Sequence, residues 1–310
     1  MFSWLGLRGF GLRLVGLLMS LWGIATIVFF VTRLGGDPAA LLLPPGTALA
    51  DIEAFRKEMG FDRPLPIQYV NYLLDALRGD FGRSFDNGQP AFSVILESLP
   101  ASLELAAAAL LYGIVVGGFA GYVAAVKRGG FIEVLAMSLA LVGQAIPKFW
   151  LGLMLVLVFA VHWGLLPTGG RGDWQNLILP AVSLGTFAAA SIARFLRSSM
   201  LKVLDEDYVK TAWSKGISPS AVYSRHVVRN ALIPVVTIIG LLVGELIGNA
   251  VIIETIFSWP GVGRAILQAI ERKDFAVVQA GVLMMSMIFI MANIVVDVLY
   301  TVLDPRIRVS

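Results

Sequence analysis

The sequence predicts an all-α polytopic membrane protein with six transmembrane helices, and two observations carry that reading. Of its 310 residues, 57% are hydrophobic and only 15% charged, where a soluble globular chain has about 25% charged residues; the mean hydropathy is +0.81. Runs without any Lys, Arg, Asp or Glu extend from Leu14 to Thr32 and from Ala276 to Val296, matching the ~20 apolar residues that cross a hydrocarbon core ~30 Å thick. The same composition excludes a nucleic-acid binder, whose Lys and Arg cluster on a water-facing surface. With no cysteine and two histidines, a disulfide framework, a thiolate or multi-imidazole metal site and a Cys nucleophile are excluded as well.

The spans are expected at roughly 10–31, 99–126, 131–161, 177–196, 231–253 and 276–303. The first follows Arg8 and Arg13 and has the look of a signal peptide. Its apolar run is longer than the ~7–15 residues of an h-region, so it reads as an uncleaved span. The chain thus divides into an N-terminal segment with the first helix (1–31), an external subdomain (32–98), a five-helix core (99–303) carrying the inner loop 197–234, and a C-terminal tail (304–310).

Orientation follows from Lys and Arg in short loops. With the amino terminus inside, the inner side holds thirteen basic residues, among them Lys127, Arg128, Arg194, Arg197, Lys202, Lys210, Lys215, Arg225 and Arg229, against five acids. The outer side holds ten, but six lie in the long stretch from Arg33 to Arg83, where the rule weighs little. Both termini are therefore expected in the cytoplasm.

Within 32–98, Asp51 to Gly60 reads as an amphipathic helix with Ile52, Phe55 and Met59 on one face, and Ile67 to Leu77 as a second. Such a subdomain can cap the spans, dock an extracytoplasmic partner, or do both. The fourth span is rich in Ala, Ser and Gly, which let membrane helices approach closely. In the third, Pro147 removes a backbone donor, so Gly143 to Gly152 is expected to kink or break.

Charged groups inside spans are costly and point to function. The candidates are Lys148 beside Pro147, Glu104, Glu245, Glu254 and Asp297. Glu104, Glu254 and Asp297 can be satisfied near an interface; Lys148 and Glu245 lie deeper, facing a water-filled path or a partner. No pair of acids at helical spacing in successive spans forms a proton relay, and neither His162 nor His226 has an acid or nucleophile beside it in sequence.

The inner loop is the most structured connection. Asp205-Glu206-Asp207 suits the positive end of a helix carrying Tyr208 to Lys215, which stops at Gly216. A second helix is expected with Ser218 as cap, Pro219 at its first position and Val222, His226 and Val227 on one side, continuing to Asn230. Two short helices meeting at a glycine between spans read as a cytoplasmic docking surface rather than a connector.

At this loop the sequence resembles the permease subunits of binding-protein-dependent ABC importers, specifically the dipeptide, oligopeptide and nickel permease family. The resemblance rests on Asp207-Tyr208-Val209-Lys210-Thr211-Ala212-Trp213-Ser214-Lys215-Gly216, Arg225-His226 and Arg229-Asn230-Ala231-Leu232-Ile233-Pro234. It extends to Leu34-Gly35-Gly36-Asp37-Pro38, Phe81-Gly82-Arg83-Ser84, Leu99-Pro100-Ala101-Ser102-Leu103-Glu104-Leu105, Leu179-Pro180-Ala181, Glu254 to Gly263 and Asp304-Pro305-Arg306-Ile307-Arg308. Lys210-Thr211-Ala212 replaces the Glu-Ala-Ala of the broader importer signature, and Val228-Arg229 its later Leu-Pro, as is usual in the peptide and nickel branch. Lys148 stands where that family is expected to carry a small polar residue.

The resemblance implies the type I importer permease fold in the bacterial inner membrane. It implies coupling through Asp207, Tyr208, Lys210, Thr211, Ala212, Lys215 and Gly216 to ATP-binding subunits, and alternating access along a pathway that includes Pro147, Lys148 and Glu245. The implied partners are a second homologous permease, one or two ATP-binding subunits, a periplasmic substrate-binding protein and the lipid bilayer. The chain has no Walker-type phosphate loop, so it is expected to be no enzyme and to hold no cofactor, ATP and magnesium being bound by the partners. Peptides are the expected cargo. A nickel chelate is the alternative, because Gly244-Glu245-Leu246-Ile247-Gly248 and the Trp174 to Pro180 run are similar to nickel permeases; a secondary carrier is a remoter one.

Overall fold

In a computed structural model, residues 4–34, 39–40, 43 and 46–303 are described, with side chains from 15 to 33, 39–40, 43 and 46–295. The Gly35 to Pro38 motif, the Asp304 to Arg308 motif and the Arg8, Arg13 and Asp297 side chains lie outside them. The described residues are almost wholly helical, with a single isolated bridge, Arg83 to Pro90. Five helical stretches are long and apolar enough to cross a membrane: Val15–Arg33, Ala91–Val126, Gln175–Leu204, Pro219–Ile256 and Phe275–Val295. A bent pair, Phe131–Ala145 and Lys148–His162, turned by 104°, makes six when counted as one span. The chain folds into two compact units, Met1–Pro100 with Gly261–Ile290 and Ala101–Pro260 with Met291–Ser310.

The first unit is built on α1 (Trp4–Leu34), the short helices α2 (Leu49–Glu58) and α3 (Leu65–Leu77), the start of α4 (Ala91–Tyr112), α12 (Val262–Glu271) and most of α13 (Phe275–Leu303). Helices α2 and α3 form where the amphipathic pattern places them. Phe29 is fully buried, its ring 5.2 Å from that of Tyr69 and 5.4 Å from that of Tyr72. Arg33 Nε donates to Gln68 Oε1 at 2.9 Å, and Gln68 Nε2 donates to the carbonyls of Phe61 and Arg63. Burial pushes the Tyr72 phenol up to about 12, against the opposing pull of the Arg33 charge. A separate apolar cluster gathers Ala91, Ile95, Val262, Ala269, Ala276, Val277 and Ala280.

Asp274 anchors the segment that follows α3. Although 2% exposed, its carboxylate accepts from Ser84 Oγ at 2.5 Å and from the Phe85 amide at 3.1 Å, which supplies the partners a buried carboxylate requires. Next to it, Arg272 pairs with Asp86. The Phe81-Gly82-Arg83-Ser84 motif is therefore fixed through its serine to the turn between α12 and α13.

The second unit is organised around α8 (Gln175–Leu204), whose buried positions run from Leu179 to Met200. The close packing predicted from its small residues is realised against α4, a π turn over Gly113–Gly117 and α5 (Gly118–Val126). A Cβ on Gly117 would fall 2.3 Å from the Ala189 carbonyl oxygen, and one on Gly121 would fall 2.5 Å from that of Ala193. Gly185 returns the fit, its missing Cβ 2.4 Å from the Ala109 carbonyl oxygen. Backbones pack here without intervening side chains, as helix association in lipid requires.

The kink expected between Gly143 and Gly152 is a full break. Helix α6 (Phe131–Ala145) ends at Ile146, whose ψ of 127° is the extended conformation favoured before proline, and Pro147 caps α7 (Lys148–Leu155), which widens into a π turn over Val156–His162. After α11 (Arg229–Ile256), Phe257 and Trp259 turn inward at 0% and 1% exposure. Trp259 Nε1 donates to the Ala101 carbonyl at 2.8 Å, and the Gly170 amide to the Phe257 carbonyl at 2.7 Å. A Cβ on Gly169 would meet that same carbonyl at 2.2 Å. Burying two such aromatics stabilises the turn by about 3 kcal/mol or more; this is the work of the Glu254 to Gly263 motif.

Candidate functional site

The loop between the fourth and fifth spans opens where α8 ends at Leu204, eight residues past the expected limit of the fourth span. Glu206, with extended backbone, precedes α9 (Asp207–Ser214), and Asp207 sits in the first turn, where the free amides favour a carboxylate. Lys210 Nζ donates to Asp207 Oδ1 at 2.9 Å, and Thr211 Oγ1 to the Asp207 carbonyl at 2.9 Å. The Lys210 hydrogen bond holds the Asp207 carboxyl below the usual carboxylate range, and the same contact raises the Lys210 ammonium. Both side chains are exposed.

One face of α9 is buried and the other is bare. Val209 and Ala212 are 0% and 5% exposed, whereas Tyr208, Lys210, Thr211, Trp213 and Lys215 stand in the open. Gly216 ends the helix at φ +73°, and a Cβ there would meet nothing within 4 Å. The requirement for glycine is purely one of backbone conformation.

The second helix departs from expectation. Ser218 occupies the cap position and Pro219 the first turn, but the Ser218 side chain makes no capping hydrogen bond. The helix also does not stop at Asn230. From α10 (Pro219–Ala221) it runs through a π turn over Val222–Val228 directly into α11, so Pro219 to Ile256 is one continuous helical stretch. Three contacts tie this stretch down. Asn230 Nδ2 donates to Tyr208 Oη at 2.9 Å, Trp213 and Tyr223 meet edge to face at 6.3 Å, and Ser199 Oγ donates to the Ala231 carbonyl at 2.9 Å. The first joins α9 to the base of α11, and the last joins α8 to it.

Within the spanning helices of this unit, Lys148 Nζ and Glu245 Oε1 form an ion pair at 2.8 Å, their side chains 17% and 35% exposed. The Lys148 ammonium also lies 4.8 Å from the centre of the Phe187 ring. Lys148 opens α7, where the helix dipole opposes a cation, so the carboxylate and the aromatic face supply what the helix end does not. Pro147 creates that helix end. Two of the in-span charges singled out from sequence are thus one pair, and Pro147 sets the position of one partner. Glu104 pairs with Arg171 at 2.7 Å near the surface, and Glu254, fully buried, accepts from Ser102 Oγ at 2.5 Å.

Sequence reasoning missed one group. Arg194, counted with the basic residues of the inner side although it falls within the expected fourth span, lies inside α8, and its Nε is buried with no hydrogen-bond partner. A charged side chain within a spanning helix is costly unless it faces the protein interior or a partner. Its neighbour Arg197 reaches Glu133, which also accepts from the Gly129 amide at 2.5 Å. The Arg-x-x-Arg spacing in an otherwise apolar stretch was the available signal. No group of three His, Cys, Asp or Glu that could hold a metal occurs among the described residues.

Comparison with known proteins places these features. Residues 113–309 match the family described as the binding-protein-dependent transport system inner membrane component, and 7–106 match the N-terminal family of that system. The glutathione transport system permease proteins of Escherichia coli and Shigella dysenteriae are each 42% identical over 297 residues, covering 96% of this chain and 97% of theirs. Among solved structures, the inward-facing MetNI methionine ABC transporter superposes with a TM-score of 0.56 at 16% identity, covering 68% of this chain and 96% of that one. An amino acid ABC transporter crystallised with histidines superposes with a TM-score of 0.56 at 15% identity, covering 67% and 94%.

Proposed function

This chain belongs to the family of binding-protein-dependent transport system inner membrane components, and on that premise we propose that it passes peptide-class cargo from a periplasmic receptor to the cytoplasm by alternating access. It is a multi-pass inner-membrane permease subunit of an ABC importer and not an enzyme; ATP hydrolysis belongs to separate subunits. ATP and magnesium reside on those subunits, and this chain carries no cofactor. A second homologous permease and one or two ATP-binding subunits complete the importer, with both termini of this chain in the cytoplasm.

The observation that carries the reading is the continuity of Pro219 to Ile256. In this mechanism the bare face of α9, with Asp207, Tyr208, Lys210, Thr211, Trp213 and Lys215, seats on an ATPase partner. Val209 and Ala212 hold the inner side of that face and Gly216 makes the turn. Motion of α9 passes through the Tyr208–Asn230 contact and the aromatic pair into a helix that crosses the membrane without a joint. Lys148 and Glu245 line the pathway, since a charged pair that is partly exposed is costly to turn toward lipid. The glutathione permease relatives favour a peptide over a nickel chelate as cargo.

The test is reconstitution of the full complex in proteoliposomes with its receptor and ATPases. Accumulation of peptide should require both partners and persist with an uncoupler. Uptake that continues without the ATPases and collapses with the uncoupler would mark a secondary carrier instead.

A further inference from the structure

We propose that Lys148, Glu245 and Arg194 form a three-charge cargo site for an anionic tripeptide, one with an amino-acid head group at one end and a second carboxylate at the other. The inference rests on the peptide-import reading and narrows it. Its starting point is Arg194, whose Nε is buried without a partner. Three other cations of this unit have carboxylate partners: Lys148 has Glu245, Arg171 has Glu104 and Arg197 has Glu133. Glu133, the acid that meets Arg197 three residues further along α8, is already held by that arginine and by the Gly129 amide.

Helix geometry sets the separation. Phe187, on which the Lys148 ammonium rests, and Arg194 are seven residues apart on the regular helix α8. They therefore share one face, two turns and about 10 Å apart. The same face carries Ser191, a buried hydroxyl. An extended tripeptide is about 10 Å long at ~3.3–3.6 Å per residue.

The charges match as well as the length. Lys148 can take the carboxylate of a head group and Glu245 its ammonium, each trading its present partner for the cargo. Arg194 is then left for a carboxylate at the far end, which its planar guanidinium binds in two-point fashion. Two cations and one anion suit a cargo with two carboxylates and one ammonium. Glutathione has that arrangement: head group on its γ-glutamyl end, second carboxylate on its glycine.

The test uses the complete importer in proteoliposomes with its receptor, comparing wild type, Arg194→Gln and Arg194→Lys. Glutathione uptake should fall at least tenfold in Arg194→Gln while receptor-stimulated ATP hydrolysis stays within twofold, and Arg194→Lys should recover uptake to within about threefold of wild type. Triglycine, which lacks the second carboxylate, serves as the control cargo, and any wild-type uptake of it should be unchanged by Arg194→Gln. Hydrolysis falling in step with uptake, equal losses for both cargoes, or unaltered glutathione uptake would each overturn the proposal. A wild-type complex that carries triglycine but not glutathione overturns this inference and leaves the peptide reading standing; one that carries neither overturns both.

Discussion

The phenol oxygen of Tyr208 and the amide nitrogen of Asn230 stand 2.9 Å apart, and Asn230 Nδ2 also donates to the His226 carbonyl at 2.9 Å. One asparagine therefore joins the first loop helix to the root of a spanning helix. Exposed hydrogen bonds of this kind contribute about 0.5–1.5 kcal/mol. Tyr208→Phe and Asn230→Ala should each lower receptor-stimulated ATP hydrolysis by a few fold with normal membrane insertion. The double variant should be no worse than the poorer single one, whereas additive losses would mean that the two residues act separately.

Gly216 tests the turn itself. Its φ of +73° costs a non-glycine residue roughly 1–2 kcal/mol, and a β-branched residue more. Because nothing lies within 4 Å of the would-be Cβ, the penalty is conformational and not steric. Gly216→Val should abolish uptake while leaving insertion intact, and Gly216→Asn should retain most of it. Equal uptake by all three proteins would rule out the turn as a coupling element.

The packing seam gives a paired stability measurement. Gly117→Ala would drive a methyl to 2.3 Å from a backbone oxygen, an overpacking cost of about 1–3 kcal/mol or more. Gly118→Ala, next in sequence, meets nothing within 4 Å and removes a flexible residue from a helix, so it should be neutral or stabilising by up to ~1 kcal/mol. Thermal unfolding in detergent should lower the melting temperature for the first and not for the second. The reverse order would mean that the helices do not approach at this seam.

The Asp207–Lys210 contact fixes a pH window. Asp207 is depressed, so its contribution is present above the ordinary Asp range near 3.9 and is lost as pH falls through its lower folded value. Lys210 is raised, so its contribution is complete below the ordinary Lys value near 10.4 and is lost as pH rises through its higher folded value. Between about pH 5 and 9 the pair should be silent, and Asp207→Asn should leave the pH profile of ATP hydrolysis unchanged over that range. A new titration step between pH 5 and 9 in the wild type that Asp207→Asn removes would contradict this assignment.

Sequence periodicity exposed the parts of this molecule that are local. Apolar run length located the spans, Pro147 marked the break, and the acid cluster, Gly216 and Pro219 bounded the loop helices. What it could not reach depends on distant partners. Lys148 and Glu245 are 97 residues apart, so each could be recognised as costly but not as the other's counter-ion. The inward turn of Trp259 depends on the carbonyl of Ala101, 158 residues away. The continuation of the second loop helix into α11 was hidden for another reason: Pro234 and the polar run around Arg229 look like a boundary, and the helix accommodates them without ending.

The π turn at Val222–Val228 carries a further consequence. A π turn holds one residue more than an α turn, and each residue of an α-helix advances the azimuth by ~100°. The bearing of the inner loop relative to the bilayer-crossing part of the helix is therefore set by a residue count, much as the phase between two gears is set by a tooth. Substitutions along this stretch leave that phase alone. Deleting one residue here would close the wide turn to the α-helical repeat and keep that phase, whereas deleting one from the regular helix beyond it, with no wide turn to absorb the change, would swing the bare face of the loop roughly a quarter of a turn out of line.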